Sequence, residues 1–159
     1  VYAELVTINV SGDATSGPIT FRSRPGELAI LDGSTLTVPA ADSGFFFLPG
    51  RDWITIEGFE MRSLTTSDAA RVPMAVHVRG GADHVTIRNN LVHDIATTNA
   101  AGNAHGIAIY ADAVAPCTAL VVAGTTVTSQ PASASSRRML RFTPKSMATT
   151  LRFGAVCRP

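Results

Sequence analysis

Apolar and polar residues alternate along short stretches of this chain, and the stretches recur about every thirty residues. Residues 52–63 align with residues 83–94, an offset of 31 (52 to 83), and the pattern returns at residues 118–129, a further 35 (83 to 118). A shorter alternating stretch precedes each copy. These stretches are 46–50, 76–80 and 107–111. The interval predicts a repeat architecture rather than a single folded sheet.

Each repeat contains three short β-type stretches, which we call A (76–79), B (84–88) and C (91–95). In A, alternation places Val76 and Val78 on one side of the strand. The same alternation places His77 and Arg79 on the other side. Stacking equivalent positions gives the apolar columns Phe46/Val76/Ile107, Leu48/Val78/Ile109, Ile54/Val85/Leu120, Ile56/Ile87/Val122 and Met61/Val92/Val127.

One coil cannot bury these side chains alone, but like residues stacked at the parallel-strand spacing of about 4.8 Å form a continuous interior. Residues 4–10, 18–23 and 28–33 supply an earlier set of three strands. The sequence therefore predicts an all-β chain of about four three-strand coils wound as a parallel solenoid over residues 1–128, with no helix. An antiparallel sandwich also has short alternating strands. It does not explain why Gly58, Asn89 and Gly124 recur at one corner.

Charge divides the chain into two parts. Residues 1–112 contain all twelve acidic residues and seven arginines, and the last 47 residues contain six Lys or Arg and no acid. The repeat stops near Gln130. We expect residues 129–159 to be either a basic tail of low order, able to bind a polyanion, or a frame-shifted or truncated end.

Two cysteines and the lack of a long apolar run limit the remaining classes. Cys117 and Cys157 permit one disulfide, and their spacing is not that of a zinc site. The longest apolar runs are strand-sized, so no membrane span is expected. No basic-then-apolar leader precedes Val1, which fits a processed or a cut N-terminus. A nucleic-acid role would require a known module or aromatic platforms, and the sequence predicts neither.

Three segments resemble the opening coils of the pectate-lyase-like superfamily of right-handed parallel β-helices. They are Pro-Ile-Thr-Phe-Arg-Ser-Arg-Pro-Gly at 18–26, Leu-Asp-Gly-Ser at 31–34 and Ile-Thr-Ile-Glu-Gly-Phe at 54–59. The resemblance covers about residues 1–128 and implies a right-handed coil. It also implies that Asn90 resembles a rung of the inward asparagine ladder of that superfamily. Phe59 and Thr125 depart from the ladder, so the Asn90 amide is expected either to bond to backbone instead or to remain strained.

The resemblance also implies where substrate would lie, in a groove along the outer face of A. The candidate catalytic residues there are His77, Arg79, His105 and Tyr110. A histidine would remove the proton α to a uronate carboxylate, and Arg79 would clamp that carboxylate. His-Gly-Ile at 105–107 is similar to stretches found in alginate epimerases. Calcium is the usual cofactor of the resembled lyases, and Asp94 and Asp112 are its candidate ligands.

Simpler interpretations remain open for each of these residues. His77 and Tyr110 are also typical of solvent-facing strand positions, and the aspartates of turn residues bonded to nearby backbone. Glu57 and Arg88 are expected to form a surface ion pair across neighbouring coils. Arg62 and His93 are expected to form a similar solvated pair on C.

The resulting prediction is a secreted or cell-surface bacterial protein acting on an acidic polysaccharide, as a monomer. The leading activity is that of a lyase or epimerase of uronate-containing glycans. The alternative is a non-catalytic β-helix module for adhesion or glycan binding. An enzyme predicts a base, an arginine and carboxylates clustered in the groove. A binding module predicts an aromatic or neutral polar outer face.

Overall fold

Short β-strands separated by tight bends make up the described part of the chain, as the two-residue alternation predicts. The computed structural model describes residues 1–111 and 117–128, together with the backbone of residues 151–153. The strands, numbered in chain order, are β1 (Val6–Thr7), β2 (Ile19–Arg22), β3 (Ala29–Asp32), β4 (Phe46–Pro49), β5 (Ile54–Glu57), β6 (Phe59–Arg62), β7 (Thr65–Thr66), β8 (Met74–Arg79), β9 (Val85–Arg88), β10 (Leu91–His93), β11 (Ala96–Thr97), β12 (His105–Tyr110), β13 (Leu120–Ala123), β14 (Thr126–Thr128) and β15 (Leu151–Phe153).

Three parallel sheets run along the molecule, each with four strands from successive coils. Sheet A has the order β1-β4-β8-β12, sheet B contains β2-β5-β9-β13 and sheet C contains β3-β6-β10-β14. The chain is thus a parallel β-solenoid of about three turns, built from three-strand coils, and no helix occurs in the described residues. The predicted fold class is confirmed.

Like residues lie over one another in the core, as the repeat predicts. Val76 is in register with Phe46 on one side and Ile107 on the other, and Ile87 lies between Ile56 and Val122. Val92 is likewise in register with Met61 and Val127. Val76, Ile87 and Val92 are at most 1% exposed. Burial of these stacked side chains is the main stabilising contribution of the fold.

Left-handed backbone conformations recur at the same bends of successive coils. The φ angles are 55°, 52° and 47° at Trp53, His84 and Ala119, 75°, 55° and 56° at Gly58, Asn89 and Gly124, and 57° and 55° at Ser63 and Asp94. A residue in this region bends the chain sharply within one or two positions, so that the next strand enters the next sheet. The repeated bend between B and C explains the spacing of Gly58, Asn89 and Gly124, which an antiparallel sandwich leaves unexplained.

The Asn90 side chain joins two neighbouring coils at that bend. It is 3% exposed. Its Oδ1 accepts a hydrogen bond from the Phe59 backbone N–H at 3.1 Å, and its Nδ2 donates to the Ile56 carbonyl at 3.1 Å. The prediction that this amide bonds to backbone in the absence of neighbouring asparagines is confirmed.

Two further features lie outside the repeat of A, B and C. β7 and β11 are parallel to each other and belong to the polar segments between C and the next A. β15 runs antiparallel to β13, at the edge of sheet B. The rest of residues 129–159 lies outside the described residues, so the alternatives for that part stay predictions. In the part of the chain that is described, no helix is long and apolar enough to cross a membrane.

Candidate functional site

The central strand of sheet A is buried on both of its sides. In β8, Val76 and Val78 face the core, and His77 alternates with them. The side chain of His77 is nevertheless only 1% exposed. The expectation that His77 is open to a groove is therefore wrong, because the segment 42–44 covers it. The carbonyl oxygen of Ser43 lies 3.3 Å from the Nδ1 atom of His77.

Two aromatic rings complete the surroundings of His77. The Phe47 ring stacks on the imidazole with centroids 4.8 Å apart, and the Tyr110 ring meets it edge-on at 5.6 Å. Burial lowers the pKa of His77, because the charged imidazolium loses its hydration there. The buried Nε2 atom has no hydrogen-bond partner among the described residues. A neutral imidazole with one unused ring nitrogen therefore lies directly beneath the surface of sheet A.

Arg79 is held by a carboxylate of the covering segment. Its Nη1 atom donates to Oδ2 of Asp42, and the two side chains are 49% and 42% exposed. In the sheet, Arg79 lies between Pro49 and Tyr110. Beside this ion pair is an open depression of about 320 Å³. It is lined by Asp42, Phe47, Pro49, Gly50, Arg79 and Gly80.

Tyr110 and His105 both belong to β12, the next strand of the sheet. Tyr110 is 38% exposed, and burial raises the pKa of its phenol, so the hydroxyl remains protonated near neutral pH. Burial lowers the pKa of His105, and a hydrogen bond with the Ala104 backbone offsets part of this shift. Sheet A carries all four candidate residues: Tyr110 is in register with Arg79, whereas His105 lies at the other end of β12, opposite Met74. Of these, Arg79 and Tyr110 are the exposed groups.

Of the two predicted calcium ligands, the structure describes only Asp94. The Asp94 carboxylate binds Nδ1 of His93 at 2.8 Å, on sheet C. Asp112 lies outside the described residues. Among the described residues, no three His, Cys, Asp or Glu side chains are placed to hold a metal ion. The calcium site stays a prediction.

Sheet C carries an ionic network that the sequence does not reveal. Arg62 bonds Asp32 of the preceding coil through Nε at 2.9 Å and Glu60 through Nη1 at 2.8 Å. Nε2 of His93, on the following coil, lies 3.3 Å from the same Glu60 carboxylate. Arg62 and His93 are in register on sheet C as expected, but the expectation that they are solvated is wrong. Both side chains share Glu60, which is 9% exposed.

Hydrogen bonds shift the pKa values of two side chains in this network. The pKa of Asp32 is lowered to about 2, first because the Ser34 backbone N–H donates to its carboxylate and also because Arg62 does. The pKa of His93 is raised, first by its hydrogen bond to Asp94 and then by Glu60. Since the members come from three successive coils, the network links those coils. A search for acids two residues before Arg62, on the same strand side, could have found Glu60.

Ion pairs and stacks elsewhere have a structural character. Arg88 bonds Glu57 across sheet B, which confirms the predicted pair. Arg88 is 49% exposed, so the pair contributes less than about 1 kcal/mol. At the bend between A and B, Trp53 stacks on His84 with centroids 4.0 Å apart. This stack follows from the shared left-handed bend. Cys117 is buried, and Cys157, with which the sequence permits a disulfide, lies outside the described residues.

Together, the stacked coils and the exposed groups on sheet A define a parallel β-solenoid with a polar and aromatic outer surface. Over 101 residues the chain is 30% identical to the uncharacterized protein YwoF of Bacillus subtilis (strain 168). That alignment covers 63% of this chain and 22% of YwoF. The chain thus corresponds to a minor part of the length of this relative. No protein-family model matches the chain, and no solved structure matches it significantly.

Proposed function

We propose that this chain is part of a secreted or cell-surface bacterial protein that binds an acidic polysaccharide along the outer face of sheet A. The observation that carries the proposal is the open depression where Arg79 and Asp42 lie beside Phe47. Tyr110, half-exposed, is in register with Arg79 on the next strand. A row of this kind offers both an ionic contact and an aromatic surface.

The chemistry of these groups suits a sugar chain. A guanidinium can donate several parallel hydrogen bonds to a carboxylate or to neighbouring hydroxyls. A protonated tyrosine combines an apolar ring with a hydroxyl that donates and accepts. Because equivalent residues of successive coils line up along the solenoid axis, an extended ligand can contact several coils at once. These features support binding more directly than catalysis, since His77 is covered.

A lyase or epimerase activity on uronate-containing glycans is the second candidate. The observation that favours it is the buried, unpartnered Nε2 of His77, close to Tyr110 and in the same strand as Arg79. In a lyase, such an imidazole would accept the proton α to the carboxylate. The electron pair would form a carbon–carbon double bond as the glycosidic oxygen departs from the β carbon. This candidate requires that the segment 42–44 move away from His77.

Binding to pectate, alginate and chondroitin sulfate, measured by isothermal titration calorimetry, tests the leading proposal. We expect one of these polymers to bind, and Tyr110→Ala and Arg79→Gln to weaken that binding at least about tenfold, since each removes a direct contact. Arg88→Gln is the matched control, because Arg88 is equally exposed, at 49%, but lies on sheet B. Equal loss in the control, or no binding by the parent chain, would refute the proposal.

Ultraviolet absorbance of the new double bond distinguishes the second candidate. An absorbance increase with one of the same polymers, abolished in His77→Ala, would establish a lyase. His84→Ala is the control, because His84 is an exposed histidine at a bend outside sheet A. If a polymer binds and the absorbance does not change, the chain binds that polymer without catalysing elimination.

A further inference from the structure

The carboxylate of Asp42 is paired with Arg79, the cationic group that borders the depression on sheet A. Asp42 belongs to the segment that crosses sheet A above His77. At one end this segment is anchored by Phe45, which is fully buried and whose N–H donates to the Met74 carbonyl at 3.2 Å. Asp42 itself is 42% exposed. The acid is therefore presented to Arg79 by an anchored segment, while its own side chain remains at the surface.

We propose that Asp42 pairs with Arg79 while no ligand is bound. When an acidic glycan binds, a uronate carboxylate displaces Asp42 from Arg79 and takes its place. The proposal rests on the proposed function and gives its ligand a chemical class, a glycan that bears carboxylates. Arg79 then selects for acidic glycans, since a neutral glycan has no carboxylate that competes for the guanidinium, and Asp42 sets how strongly an acidic glycan must bind to displace it.

The geometry of the pair keeps the free energy required for such an exchange small. The pair is bridged by one nitrogen of Arg79 and one oxygen of Asp42, so other donors of the guanidinium remain available to a second oxygen ligand. Both side chains are partly hydrated, and an exposed pair of this kind holds its partners weakly. Exchange of one carboxylate for another also keeps the charge of Arg79 balanced. The displaced Asp42 needs only to rotate into solvent.

Asp42 also opposes acidic ligands while it stays in place. Its negative charge borders the depression and repels a polyuronate at short range. Because the binding-competent form is the one in which Arg79 is unpaired, the apparent affinity is reduced by the fraction of molecules in that form. Removal of the Asp42 charge should therefore strengthen binding of an acidic glycan.

Calorimetry with tetragalacturonate and with its fully methyl-esterified form tests the proposal. The two ligands share their sugar rings and differ in charge. We expect Asp42→Asn to bind tetragalacturonate about two- to fivefold more tightly than the parent chain, as expected when a weak surface pair is released. We expect its affinity for the methyl ester to stay unchanged. Asp42→Ala serves as a second variant, with thermal unfolding to verify that both variants are folded.

Glu57→Gln is the matched control, because Glu57 pairs with Arg88 across sheet B in the same way. It should alter neither affinity. Unchanged or weaker tetragalacturonate binding in both Asp42 variants would overturn the inference, and so would an equal gain for the methyl ester. If the parent chain and the variants bind neither ligand nor any polymer of the panel, the proposed function itself fails. If other glycans bind through Tyr110 while tetragalacturonate does not bind the variants, only the inference fails.

Discussion

Replacement of Asn90 by alanine should strongly destabilise the solenoid. The amide is 3% exposed and bonds two backbone groups of the neighbouring coil, the Phe59 N–H and the Ile56 carbonyl. Each hydrogen bond contributes about 0.5–1.5 kcal/mol net, and a buried group left without a partner costs about 1–3 kcal/mol. Since alanine leaves two backbone groups to find new partners, we expect the free energy of unfolding to fall by about 2–4 kcal/mol.

Urea unfolding monitored by circular dichroism measures this loss. Asn89→Gly is the control, because Asn89 is exposed and has a φ of 55°, a conformation that glycine adopts without strain. The control should stay within about 0.5 kcal/mol of the parent chain or be slightly more stable. A change of less than about 0.5 kcal/mol in Asn90→Ala would refute the view that this amide ties the coils together.

Three further predictions concern the core and the titrating groups. Ile87→Ala should lower the free energy of unfolding by about 2–5 kcal/mol, measured in urea, because it opens a cavity between two stacked residues. A loss below about 1 kcal/mol would contradict the packing of Ile87 between its neighbours in the core. In an NMR titration the pKa of His93 should lie above 6.5 and that of His77 below it. His93 therefore stabilises the fold fully below pH 6.5, and this contribution is lost as pH rises through its folded pKa; His93→Gln should remove that dependence. In Arg62→Gln the Asp32 pKa should rise from about 2 yet stay below 3.8, since a backbone N–H is the largest cause of its shift, and a return to 3.8 would show that Arg62 dominates.

The repeat made the coils predictable, because each stacked residue has an equivalent about thirty positions away. The columns through Val76, Ile87 and Val92 follow from two simple facts, alternation along a strand and the constant interval between strands. The ion pair of Glu57 and Arg88 follows in the same way. Such contacts depend only on register, and register is encoded in the spacing.

Contacts of the segments that lead into sheet A were not predictable. The segment 42–44 precedes β4 as residues 72–73 precede β8 and residues 103–104 precede β12, but the three segments share no sequence pattern, so nothing in the repeat places 42–44 over His77. Its contacts join residues 34 and 37 positions apart, His77 with Ser43 and Arg79 with Asp42. Glu60 was missed for a related reason, because its register partner on the next coil is Leu91 and alignment of the repeats shows no shared acid.

The recurrence of left-handed bends at fixed positions has a consequence for engineering and for evolution. Because Trp53 and His84 occupy equivalent bends, duplication of residues 53–83 should insert one complete coil without altering the bends that connect it to the neighbouring coils. Each such insertion would lengthen the molecule by about 4.8 Å, the rise between parallel strands. The length of the surface that can contact a polymer could therefore be changed one coil at a time, by duplicating or deleting one repeat.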